Sequence, residues 1–215
     1  MARKKKEEAQ KTRQQLIEAA IGQFATRGVA NTTLTDIADA ARVTRGAIYW
    51  HFSSKSEIFN AIWEQQIPLR EIIRDRLSLS DDVDPLLMLR EQFIASLQYI
   101  ARDPRQCALL QILYHKCEFN SDMISECEIR NRIGINYDYL RGTLKQCISR
   151  KVISPSVNIE LALIVFHGFF SGVIKNWLMN SDSFNLYQQA PALVDNILAT
   201  LQGSRMPPAV YGAAL

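Results

Sequence analysis

The chain has 215 residues, of which 47% are apolar and 22% charged, an ordinary balance for a globular protein of one large or two small domains. Its net charge of +3 is unevenly spread: residues 1–55 hold ten Lys/Arg against five Asp/Glu, residues 56–215 fifteen against seventeen, so one end is suited to a polyanion. Arg3-Lys4-Lys5-Lys6 is followed by Glu7-Glu8 instead of an apolar run, which excludes a secretory signal. The longest greasy stretch, Leu161 to Ile174, has fourteen residues, short of the ~20 that a spanning helix needs.

These features describe a soluble, cytoplasmic protein with no membrane partner. Cys107, Cys117, Cys127 and Cys147 contain no C-x-x-C pair and read as reduced thiols. His115 and Cys117 stand two apart, and on a helix such residues project about 200° from one another, so they cannot chelate one metal ion. No metal and no cofactor are expected.

In chain order the punctuation is helical throughout, so the fold class is all-α. Leu16, Ile17, Ala20 and Phe24 recur at three and four, giving a first helix over about residues 7–26 with Gly28 as its stop; Gly22 inside it suggests only close packing. Thr33-x-x-Asp36 is a capping box for a second short helix with Leu34, Ile37, Ala38 and Ala41 inward. Thr44 caps a third, running to about His51, and the three residues between them allow only a tight turn, hence a helix-turn-helix. Ser54-x-x-Glu57 opens a long fourth helix to about Leu79, in which Pro68 removes a backbone bond and crowds the Glu64 carbonyl, predicting a kink or break. Asp84-Pro85, Asp103-Pro104 and Ser154-Pro155 each place a capping side chain before a proline at the first helical position. Helices follow near 84–102, 104–119, 122–150, 156–180 and 187–202, nine in all, and the tail 204–215 reads as disordered.

Catalysis finds few of the parts it needs. Gly168-Phe-Phe-Ser171-Gly172 sets its serine one place off the G-x-S-x-G pattern and inside a helix, so the chain does not read as an enzyme. Nucleic-acid reading finds several parts together. The second helix of a helix-turn-helix presents its N-terminal residues to the major groove of duplex DNA. Arg45 is placed to pair with guanine and the Ala47 methyl to meet thymine. Thr33, Tyr49, Trp50, His51 and Lys55 suit phosphate contacts. Thr44 and Gly46 at the helix start complete the DNA-facing set.

Thr-Leu-Thr-Asp-Ile-Ala at 33–38 and Val-Thr-Arg-Gly-Ala-Ile-Tyr-Trp-His-Phe at 43–52 resemble the TetR family of bacterial transcriptional repressors. Ile112 to Phe119, Asn176-Trp-Leu178 and Leu186 to Asn196 resemble its multidrug-efflux subgroup of the AcrR and EnvR kind. The resemblance implies a three-helix DNA-binding domain, placed here at 1–54, and a six-helix ligand-binding and dimerisation domain at 55–203. It also implies a homodimer on pseudo-palindromic double-stranded operator DNA, released by a small amphipathic or aromatic effector, with control of an efflux-pump operon. The competing reading is a helical small-molecule carrier with a vestigial DNA-binding element. Two positions depart from the family pattern. Arg42 stands where the inter-helix turn commonly has Gly, which costs about 1 kcal/mol if the residue is left-handed. Ile67 stands where some relatives place an acidic residue, which removes the ground for expecting cationic effectors.

Apolar and aromatic residues at helical spacing supply candidate ligand contacts: Trp63, Ile67, Phe93, Leu97, Leu113, Tyr114, Tyr137, Phe170, Ile174 and Trp177. Gly168, Ser171 and Gly172 permit close helix approach, and Leu193, Ile197 and Leu201 share one side of the last helix. Together they form the candidate dimer interface, a symmetric four-helix contact.

Overall fold

A computed structural model describes residues 2–77, 83–134 and 136–202; all its regular elements are helical, with no strand among the described residues. The first helix, α1 (Ala2–Arg27), buries Leu16, Ile17, Ala20, Ile21 and Phe24, the face its three-and-four spacing dictates. Gly28 follows at φ 86 and its amide donates to the Phe24 carbonyl at 2.9 Å, a left-handed stop open to a residue without Cβ. At Gly22 nothing lies within 4 Å of where a Cβ would stand, so close packing does not explain that glycine.

In α2 (Leu34–Ala40) the Thr33 hydroxyl accepts from the Asp36 amide at 3.1 Å and Asp36 Oδ2 accepts from the Thr33 amide at 2.8 Å, the reciprocal box expected. The Thr33 hydroxyl, then its amide and Arg27, hold the Asp36 carboxyl down at about 2. In α3 (Arg45–His51) the Thr44 hydroxyl accepts from the Ala47 amide at 3.2 Å. Such caps are worth about 1 kcal/mol each. Between the two helices Arg42 has φ 56, while its amide and that of Val43 close the turn on Asp39 and Ala38, both at 3.0 Å. Ile37, Ala38, Ile48 and Phe52 are buried as both helices pack on α1.

The fourth helix, α4 (Lys55–Glu64), starts where the Ser54 hydroxyl accepts from the Glu57 amide, but the Glu57 carboxylate reaches Ser53, not Ser54. It stops fifteen residues short of the expected Leu79. Pro68 breaks the rod: the chain turns over residues 65–68 and resumes as α5 (Leu69–Leu77), with the Pro68 carbonyl accepting from Glu71 and Ile72. The Asp-Pro starts hold for α6 (Pro85–Arg102) and α7 (Pro104–Gln111), and α7 widens into one π-helical turn over Ile112–Lys116.

The stretch expected as one helix over 122–150 divides into α8 (Glu126–Ile133) and α9 (Tyr137–Ser149). A Cβ at Gly134 would sit 2.5 Å from the Arg130 carbonyl oxygen, and Asn136 starts the new helix by accepting from the Tyr139 amide. Ser154-Pro155 starts no helix, because Ser154 closes a turn on the Ser156 and Val157 amides. Asn158 takes the cap instead and opens α10 (Ile159–Met179); Asn185 opens α11 (Leu186–Ala199), which ends in a 3₁₀ turn, Thr200–Gln202. The tail 204–215 lies outside the described residues.

α11 packs on α6, tied by Arg90 to Asp195 at 2.5 and 2.9 Å and by Arg102 stacked 3.6 Å over the Tyr187 ring. α10 packs on α9, α7 and α11. At 21 residues it is longer than the greasy stretch counted from sequence, and by length and composition alone it suffices to cross a membrane. In this fold its Leu163, Phe166, Phe170 and Trp177 are buried in the common core, while Leu161, Ile164 and Val165 face out.

The left-handed Arg42 gives a direct test of the turn. Arg42→Gly should raise unfolding stability by about 1 kcal/mol, read as a higher midpoint in urea with an unchanged slope.

Candidate nucleic-acid interface and inner cavity

On α3, Ile48 is buried and holds the helix to the core, which turns Arg45, Gly46, Tyr49 and Trp50 to solvent. Trp50 is 73% exposed, so it is not a core aromatic. Its ring meets that of His51 edge-on at 4.5 Å, and the Arg45 guanidinium lies 5.8 Å from the Tyr49 ring centre. Ala47 and His51 are half-buried; burial, and secondarily Arg13, push the His51 imidazole below its ordinary value. The hydroxyls of Thr33 and Thr44 serve as caps, and the Lys55 ammonium donates to the Ala30 carbonyl at 3.0 Å. The candidate DNA contacts therefore belong to one short unit, which the Thr33 and Thr44 caps and the Lys55 contact also build.

A cavity partly open to solvent lies between α5, α6, α7, α8, α9 and α10. Six of the ten candidate ligand residues line it: Phe93, Leu97, Leu113, Tyr114, Phe170 and Ile174. The Phe93 ring stacks on Phe170 at 4.3 Å and on Phe166 at 5.7 Å, making one apolar wall. The other four lie elsewhere. Trp63 is 1% exposed and packs on Phe59, which also meets Phe24 of α1 and Phe119. Its indole N–H is buried without a partner. Ile67 is 59% exposed in the turn at the break. Tyr137 stays out of the lining, stacked on His167 at 5.7 Å, and Trp177 is buried outside it as well.

Reading for apolar residues missed the polar part of the lining. Arg70, Gln92, Arg130 and His167 all reach it. Arg70 lies 4.7 Å over the Tyr139 ring; Arg130 lies 4.8 Å over Tyr114 and pairs with Glu126 at 2.5 Å. Burial, with Arg130 adding to it, lowers the His167 imidazole from its ordinary value. Adjacency to Phe93 on α6 was the available signal for Gln92.

The candidate interface residues divide as well. Gly168 is exposed, and Gly172 has open space at its Cβ position. Ser171 lines the cavity. Leu193 is partly buried, and Ile197 and Leu201 are buried within the chain at 4% and 2%, because α11 turns that face into its own core. Sequence reading missed Leu161, Ile164 and Val165, which lie exposed on α10 as Gly168 does, while Gly172 is half-buried.

Between interface and cavity lies a tight junction. The Val29 amide, just past α1, donates to the Lys116 carbonyl at the end of the π turn at 2.8 Å. The Asn60 side chain donates to the Asp122 carbonyl and accepts from the Ile124 amide. Arg105 on α7 grips Glu18 of α1 and donates to Gln66 at 2.9 Å. His115 Nε2 donates to the Lys175 carbonyl at 3.0 Å, carrying the chain of contacts to α10. Among the described residues no cluster of His, Cys, Asp and Glu is arranged to hold a metal ion. The thiols are unpaired; burial raises Cys107, and pushes Cys117 and Cys147 up to about 11.

Residues 16–62 match the family of bacterial regulatory proteins known as the tetR family, and residues 84–203 match the C-terminal region of MAATS-type transcriptional repressors. The chain is 54% identical over 198 residues to a probable acrEF/envCD operon repressor of Escherichia coli, covering 92% of this chain and 90% of that one. It is 38% identical over 214 residues to the HTH-type transcriptional regulator TtgR of Pseudomonas putida, covering 98% and 99%. Its fold superposes on NalD, the secondary repressor of the MexAB-OprM multidrug efflux pump in Pseudomonas aeruginosa. There the TM-score is 0.71 and the identity 30%, over 91% of this chain and 98% of that one.

Proposed function

This chain belongs to the TetR family of bacterial regulatory proteins, and from that premise we propose a cytoplasmic repressor that binds a pseudo-palindromic operator as a homodimer and is released by amphipathic or aromatic molecules. Residues 1–54 read DNA in this proposal, and 55–203 hold ligand and partner. Control of an efflux-pump operon is the reading that the Escherichia coli and Pseudomonas aeruginosa relatives support. The observation that carries it is the one core shared by a solvent-facing, Arg45-bearing α3 and an apolar cavity.

Trp63 and Ile67 stand off the cavity wall, so the signal does not begin by a ligand packing on them and tilting α4. It begins at Leu113 and Tyr114. Both line the cavity and both sit in the π turn that ends on Lys116, where the Val29 amide is held. An occupant that prefers another shape of this turn shifts the end of α1, and with it α2 and α3, so that the two recognition helices of a dimer leave the ~34 Å spacing of one DNA turn.

For the DNA roles, Arg45→Ala should cost roughly 1 to 3 kcal/mol on the duplex upstream of the protein's own gene and relax base choice at one position per half-site. Lys55→Ala should weaken all duplexes alike and flatten the salt dependence by about one unit per half-site. Gel shifts over a salt series separate the two; equal, sequence-blind losses would refute the assignment, and absence of any specific complex would leave the carrier reading. For assembly, Gly172→Leu meets open space within its own chain, so it should stay folded while losing dimer. An unchanged dimer in sedimentation would remove α10 from the interface.

A further inference from the structure

The charged groups that line the cavity are arginines, and its amides and hydroxyls add further hydrogen-bond donors beside them. Arg70 has its guanidinium face over Tyr139, and among the described residues it pairs with no carboxylate. The Tyr139 hydroxyl donates to Gln92 Oε1 at 2.9 Å, which leaves the Gln92 amide N–H groups unspent. Asn136 Oδ1 is occupied as the cap of α9, which leaves its N–H groups in the same position. The cavity lining includes two arginines and a histidine, and no Asp or Glu. The Glu126 carboxylate outside the lining answers Arg130, so among the described residues the lining charge without a carboxylate is that of Arg70.

We propose that the cavity is selective for acidic amphiphiles, single-headed carboxylates with a hydrocarbon or aromatic body, whose anionic head pairs with Arg70 beside the Gln92 and Asn136 amides while the body lies against Phe93 and Phe170. This rests on the ligand-binding part of the proposed function and specifies its chemistry. A guanidinium offers a carboxylate a planar, two-point fit that an ammonium or alcohol head cannot use. A cation in this cavity meets uncompensated positive charge in a largely apolar enclosure, where screening is weak. The aromatic wall serves any of these bodies equally, so selectivity resides in the head.

Three ligands of equal tail length test this on the full-length protein by calorimetry near pH 7.5, below their micellar concentrations: decanoate, decanol and decyltrimethylammonium. Decanoate should bind at least about ten-fold more tightly than decanol, as expected for a hydrogen bond to a charged group, and the cation should bind most weakly. Arg70→Gln should bring decanoate down to decanol, whereas Arg70→Lys should keep part of the preference, with circular dichroism confirming that both fold. Equal binding of all three, tighter binding of the cation, or an unchanged preference in Arg70→Gln would overturn the proposal. Operator release is read separately: decanol that binds as tightly as decanoate and frees DNA would sink the head selectivity and leave the inducible repressor standing. Selective decanoate binding without release would do the reverse.

Discussion

The Val29 amide donating to the Lys116 carbonyl at 2.8 Å ties the helix-turn-helix end of the chain to the wall of the cavity. Val29 is 2% exposed, and a buried amide left without an acceptor costs about 1 to 3 kcal/mol. The end of α1 and the end of the π turn therefore move together or lose that energy. Gly28 makes the contact available, because its left-handed backbone turns the chain back at little cost in a residue without Cβ. α2 and α3 pack on α1, so α3 inherits its position from this bond and from the Arg105 bridge beside it. The Phe24, Phe59 and Phe119 rings fill the space underneath.

The same economy shapes the cavity. Both places where a long helix divides, Pro68 and Gly134, are at its edge. Leu69, Arg70 and Ile73 of α5, and Gly134 and Asn136 between α8 and α9, all line it. Had α4 run straight to residue 79, the wall would lack Arg70; had α8 run into α9, it would lack the Asn136 cap. The helix breaks thus convert a bundle of rods into an enclosure, and the π turn supplies the part of its wall that is tied to the end of α1.

Much of this was legible because it is local. Thr33, Thr44, Asp84 and Asp103 each cap a helix three or fewer residues away, and Arg45 to His51 lie on one helix whose inward side is marked by Ile48. Ser154-Pro155 failed for an equally local reason: the hydroxyl had a closer amide to satisfy. The cavity was legible only in part because periodicity tells which side of a helix faces inward, not whether that side meets a neighbour or a void. Trp63 faces inward and meets Phe59; Ile197 and Leu201 face inward and close their own domain. Arg70, Gln92, Arg130 and His167 come from four helices, and only tertiary packing assembles them. α10 is apolar on nearly every side, and that pattern held the unread information that one side serves the core and another remains open.

The central claim is that filling the cavity and holding the operator oppose one another through the α1 to π-turn junction. Titration of N-phenyl-1-naphthylamine, a neutral aromatic probe whose fluorescence reports apolar burial, into free protein and into protein saturated with its operator tests this directly. The account predicts weaker probe binding to the operator complex by some five- to 150-fold, and weakening of the operator by the same factor when the probe is saturating, because coupling of about 1 to 3 kcal/mol is reciprocal. Identical probe affinity in the two titrations would contradict it.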